Sequence, residues 1–219
     1  MTRAQQARDY EDHLTASHEM GHMLAAYLYG ARFRYVTMRP HGSRWARSND
    51  PELRARAHRM GYGIAHCVYL TRVKSPMAGA VISLAGSYVE RGVLAVPRVL
   101  PFALPDASWD GVSGDLLSAI RKLYPERFRP LGDATTLDQL DQMIEQMVVA
   151  LLADPPDGRW AEACRAAYEL FVTHHDELLL LAMRLQRVRT MSWPDFTDEL
   201  AFTREVLAED GPIATWPGH

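Results

Sequence analysis

Cysteine is nearly absent from this chain. Only Cys67 and Cys164 occur in 219 residues, far apart and outside any CxxC spacing, so both read as reduced, buried small hydrophobes of a cytoplasmic protein. Charge of one sign is lacking too: 24 Lys and Arg stand against 27 Asp and Glu, which removes any global pull toward nucleic acid or anionic lipid. No long apolar run is present. The least polar stretch, Ser75 to Val89, is broken by Gly79 and Gly86 and stops at Glu90-Arg91, short of the roughly 20 apolar residues that cross a bilayer. The first fifteen residues hold no apolar core of the kind a secretory signal needs, and no repeat or low-complexity tract stands out.

What remains, with 47% hydrophobic and 23% charged residues, is the composition of one globular domain over 1–219. Its expected parts are a catalytic portion, 1–130, and a C-terminal helical portion, 131–219. Leu14, Leu24, Ala25 and Leu28 predict an amphipathic helix from about Asp9 to Tyr29, with Gly30 as its stop. Phe33 to Met38 and Gly61 to Leu70 read as two strands able to pair in a small antiparallel sheet. Between them His41 to Met60 is a polar loop whose Arg44, Arg47, Arg54, Arg56 and Arg59 read first as solvated and second, beside Trp45, as a surface for an acidic partner or nucleic acid, which is not the expected partner. Ser75-Pro76 looks like an N-cap and first helical residue, opening a helix to about Ala95. Further helices are expected near Ser113 to Tyr124, Thr136 to Ala153, Arg159 to Thr173, Asp176 to Arg189 and Trp193 to Glu209. Helix dominates, which gives a mainly α (α+β) class with a small antiparallel sheet beside the first helix.

Inside that first helix lies HEMGH, His18 to His22. Residues four apart share a helix face, so His18 and His22 can turn their imidazoles to one zinc ion. Glu19 points near the same place and suits a general base that takes a proton from water and later passes it to a leaving amine. Chance would produce roughly 0.02 such motifs in a chain of this composition. A catalytic zinc usually takes a third protein ligand. Glu52, Glu90, Asp106, Asp110 and Asp115 are all available, and spacing alone does not choose among them.

Several segments together resemble the peptidase domain of the FtsH-type ATP-dependent zinc metalloproteases. TASHEMGHMLAAYLYG is similar to that family's HEAGH helix, MGYGIAHCV to its LGYT-containing strand, and VISLAGSYVERGV to its small-residue helix ending in Glu. GVSGDLLSAI resembles the segment that supplies an aspartate ligand, which implies Asp115 as the third ligand to zinc. AEACRAAYELFVTHHDELLLLAMRL resembles the closing helices. The resemblance covers most of residues 15 to 200 and implies a zinc endopeptidase. Departures are plain: no GxxxxGK[ST] phosphate loop occurs, Met20 replaces the family's alanine, and Gly114 stands where Asn is usual. The expectation is a stand-alone module whose polypeptide substrates are flexible, unfolded or delivered by a separate ATPase. The other reading is a catalytically silent, metal-stabilised binding module. Self-association is left open.

Secondary candidates follow from the same reading. If Gly61 to Val68 is an edge strand beside the zinc helix, Gly61, Tyr62 and Gly63 can bind substrate backbone. Glu90 reads first as the partner of a nearby Arg on its own helix, and second as a carboxylate orienting a ligand histidine. His174 and His175 diverge as neighbours and read as turn or cap residues; His66 reads as structural.

Overall fold

The computed structural model describes residues 3–38, 66–71, 73–94, 113–125 and 157–210, with Gln139 and Gln146 as isolated helical positions. Along these residues run α1 (Arg3–Leu28), β1 (Arg32–Thr37), β2 (His66–Thr71), α2 (Pro76–Leu94), α3 (Ser113–Leu123), α4 (Arg159–Thr173), α5 (His175–Val188), β3 (Thr190–Ser192) and α6 (Trp193–Asp210). The class is as expected, mostly helical with a small antiparallel sheet. The helix expected over 136–153 lies outside the described residues, those two glutamines apart.

α1 starts earlier than its periodicity suggested, and it stops where Gly30 takes φ +75°. There the Ala31 amide donates to the Ala26 carbonyl at 2.8 Å and the Gly30 amide to Tyr27 at 3.2 Å, the paired bonds of a Schellman cap. The turn sends the chain into β1, which pairs with β2 on one side (Val36 opposite Cys67) and with β3 on the other (Val36 opposite Met191). β3 was not expected: three residues are too short to show an alternation. It exists because Arg189 caps α5 in the left-handed region, and its carbonyl accepts from the Met38 amide at 2.9 Å. Among the described residues the sheet order is β2-β1-β3, which puts β2 at an edge.

α2 opens as predicted, with the Ala78 amide donating to Ser75 Oγ at 3.2 Å. Its low polarity has a packing cause. Ile82, Ala85 and Val89 join a cluster with Met20, Leu24, Phe33, Leu181 and Phe196, while Val81 and Leu84 join another with Leu116, Ile120 and Trp160. A helix apolar nearly all round is one buried on several faces. Among the described residues no helix is long and apolar enough to cross a membrane. The first cluster runs from Ala16 to Leu200, so the C-terminal helices share a core with α1.

Candidate metal centre

Three elements converge on HEMGH. α1 carries His18, Glu19 and His22 on neighbouring faces, α2 lies across it, and α3 brings Asp115 in its first turn, where a carboxylate also complements the helix dipole. The approach of α2 is close because it has no side chain at the crossing. A Cβ on Gly86 would sit 2.5 Å from His22 Nε2 and 2.8 Å from His18 Nε2, and one on Gly21 would sit 2.7 Å from the Ala85 carbonyl oxygen. The two glycines let the helices touch.

Each imidazole is aimed by a bond on its far side. His22 Nδ1 donates to the Ile82 carbonyl at 2.6 Å, and His18 Nδ1 donates to Glu90 Oε2 at 2.9 Å. With Nδ1 carrying the proton in both rings, both Nε2 atoms face inward as electron-pair donors. Of the two readings of Glu90, the orienting one is observed: its carboxylate turns to His18 across the α1–α2 interface, while the Arg91 side chain lies outside the described residues.

The inward atoms form a nearly equilateral triangle. His18 Nε2 lies 2.9 Å from Asp115 Oδ2, His22 Nε2 lies 3.2 Å from it, and the two Nε2 atoms are 3.0 Å apart. Four-coordinate metal ions with bonds of about 2.0–2.1 Å place their ligands roughly 3.3 Å apart, so this triangle matches one face of such a tetrahedron after slight expansion. Two imidazole nitrogens and a carboxylate this close attract positive charge, a proton or a metal ion. The His18, His22 and Asp115 cluster can therefore hold a metal ion.

The electrostatics agree. Burial alone would lower both histidines, yet Asp115 and Glu90 hold His18 well above its usual range, and Asp115 holds His22 above it as well. Burial would raise Asp115, but the charges of His22 and His18, with their hydrogen bonds, hold its carboxyl far below the usual carboxylate range. The cluster thus favours positive charge at its centre, which is what a metal ion would supply.

Glu19 is only 6% exposed, and that burial raises its carboxyl above the ordinary value against the opposing pull of His22 and His18. Its Oε2 accepts from Cys67 Sγ at 3.0 Å, which joins β2 to the centre. Burial and the neighbouring carboxylate push the Cys67 thiol well up, so it stays a donor.

Of the residues expected from sequence, the structure gathers His18, Glu19, His22 and Asp115. The substrate candidates Gly61, Tyr62 and Gly63, and the rejected ligands Glu52, Asp106 and Asp110, lie outside the described residues. The edge-strand expectation holds for the part described, His66 to Val68, since β2 borders the sheet. His174 caps α4 and donates to Glu177 at 3.0 Å, in keeping with a cap role. Cys67, the Ile82 carbonyl and Gly86 were missed as site residues. Only the small-residue run of VISLAGSYVE hinted at Gly86. No family model matches this chain, and no curated protein matches it. The likeness to the FtsH-type peptidases therefore rests on the segments quoted above.

Proposed function

We propose that this protein is a zinc-dependent endopeptidase acting on flexible or unfolded polypeptides. The observation that carries the reading is the inward convergence of His18 Nε2, His22 Nε2 and Asp115 Oδ2 beside a buried Glu19. Two imidazoles and one carboxylate suit zinc with a position left over, and a carboxylate between the histidines of a helix is what hydrolysis requires. The same donor set also suits non-haem Fe(II), where Glu19 would have no task.

When bound, zinc supplies Lewis acidity, polarising a carbonyl oxygen and easing the deprotonation of a water. The chain's residues do the rest. Glu19 accepts a proton from the attacking water as its oxygen bonds to the carbonyl carbon, then returns it to the amine nitrogen as the C–N bond breaks. Burial suits Glu19 to this exchange by raising its proton affinity. Glu90 and the Ile82 carbonyl keep the two rings from rotating, and Cys67 fixes one oxygen of Glu19. The edge of β2, bordered by no further strand among the described residues, offers backbone groups to an extended peptide. Folded substrates would need an ATPase or unfoldase to deliver them.

The test measures bound metal and casein cleavage in the wild type, Glu19→Gln and Asp115→Ala. A peptidase keeps zinc and loses cleavage in Glu19→Gln, and binds zinc poorly in Asp115→Ala. A wild type that holds zinc but cuts nothing over a broad substrate panel is instead a metal-stabilised binding module. Iron in the purified protein would overturn the choice of metal.

A further inference from the structure

Seven residues from the metal centre, along the same two helices, lies a second constellation. On α2 the step runs from Gly86 to Gly79, and on α3 from Asp115 to Lys122. Each pair is two helical turns apart and so shares a face, roughly 10 Å away at 1.5 Å per residue. Here a cavity of about 540 Å³ opens, walled by Lys74, Ser75, Gly79, Ser118, Arg121 and Lys122 among others. None of its described lining residues is Asp or Glu. The first turn of α2, whose amide end is positive, has no acid either.

The cavity is built rather than incidental. Lys122 Nζ donates to the Gly79 carbonyl at 2.9 Å and to Ser83 Oγ at 2.6 Å, and Ser83 Oγ donates in turn to Ser118 Oγ at 3.1 Å. Those bonds hold the ammonium at the wall instead of letting it sweep through solvent. The stem needs room as well: a Cβ on Gly79 would meet Lys122 Cδ at 2.9 Å. Gly79 thus serves Lys122 as Gly86 serves the imidazoles. β2 follows the same direction, since Cys67 meets Glu19 while Val73 and Lys74 line the cavity.

We propose that this basic cavity is a substrate subsite taking a carboxylate of the bound polypeptide, two to three residues from the bond to be cut. The inference rests on the peptidase reading and names its substrate class. A span of roughly 10 Å equals about three residues of extended chain at ~3.3 Å each. Three positive side chains, one of them fixed in advance, favour an anion, and two hydroxyls can complete its hydrogen bonds.

The experiment uses fluorescent decapeptides and the zinc-loaded Glu19→Gln protein, with binding read by anisotropy so that cleavage is not required. One arm carries a single Glu, or Gln in its place, at successive positions of an amidated peptide. The other compares a Glu-free peptide as free acid and as amide, separating a side-chain carboxylate from a C-terminal one. A carboxylate in one arm should tighten binding about tenfold. Arg121→Gln combined with Lys122→Met, or Gly79→Ala, should bring that ratio close to one. The exposed Arg121→Gln alone keeps the test alive if the others fail to fold. In the wild type, cuts should map two to three residues from the preferred carboxylate. A ratio near one in both arms overturns the subsite, as does a ratio that survives in a folded Arg121→Gln, Lys122→Met protein, or cuts mapping elsewhere. If the ratio behaves as expected but the wild type cuts nothing, the subsite stands and the peptidase reading falls.

Discussion

Replacing Gly86 by alanine tests the closeness of α1 and α2 with one methyl group. The added carbon would lie 2.5 Å from His22 Nε2, 2.7 Å from His22 Cε1 and 2.8 Å from His18 Nε2, about 1 Å inside ordinary contact. The rings have little freedom to yield, because His22 is tied to the Ile82 carbonyl and His18 to Glu90. Either α2 is pushed outward, at the usual overpacking cost of about 1–3 kcal/mol, or a ring turns and loses its orienting bond, about 1 kcal/mol more. Both routes spread the ligand triangle. Zinc affinity should fall about 10- to 100-fold, the loss typical when a ligand's outer partner is disturbed. Competition against a chromophoric chelator measures the affinity, and thermal unfolding of chelator-treated protein measures the packing cost. Gly158→Ala is the control, since a Cβ there meets nothing within 4 Å. A folded Gly86→Ala protein whose zinc affinity stays within twofold of the wild type would refute the geometry.

Glu90→Ala should also weaken zinc binding about 10- to 100-fold, because His18 loses the acceptor that fixes its tautomer; the same chelator competition reads it. Cys67→Val removes the donor to Glu19 Oε2 and should cost about 1–2 kcal/mol in urea unfolding, with Cys67→Ser recovering most of it. His13 is buried and its ring is held below the ordinary value of 6.5 by loss of solvation. The unfolded chain then takes up the proton first, so the stability this residue contributes is full above pH 6.5 and is lost as pH falls through the lower folded value. Melting temperatures between pH 7.5 and 5 should drop less for His13→Gln than for the wild type, and equal slopes would count against the assignment.

The local elements were legible because their causes are local. Gly30 ends α1 through its own backbone freedom, and Ser75 caps α2 with its own hydroxyl, so neither needs a distant partner. His18 and His22 face one way because a helix repeats every 3.6 residues, and nothing elsewhere alters that. β3 was not legible, since Thr190–Ser192 becomes a strand only by pairing with Tyr35 to Thr37.

The centre divides along the same line. From sequence alone came the two imidazoles, the carboxylate between them and a family likeness pointing to Asp115. Tertiary packing decided that Asp115, 97 positions from His18, is within 2.9 Å of it, and that Glu90, 72 positions away, meets the other side of the same ring. It also set Cys67 against Glu19 and made Gly86 indispensable to the contact between α1 and α2. The physical reason is range. Helical periodicity and capping act over a few residues and are written in the order of the chain, whereas the meeting of α1, α2 and α3 follows from burial of two apolar clusters on two faces of α2, which only the folded chain brings together.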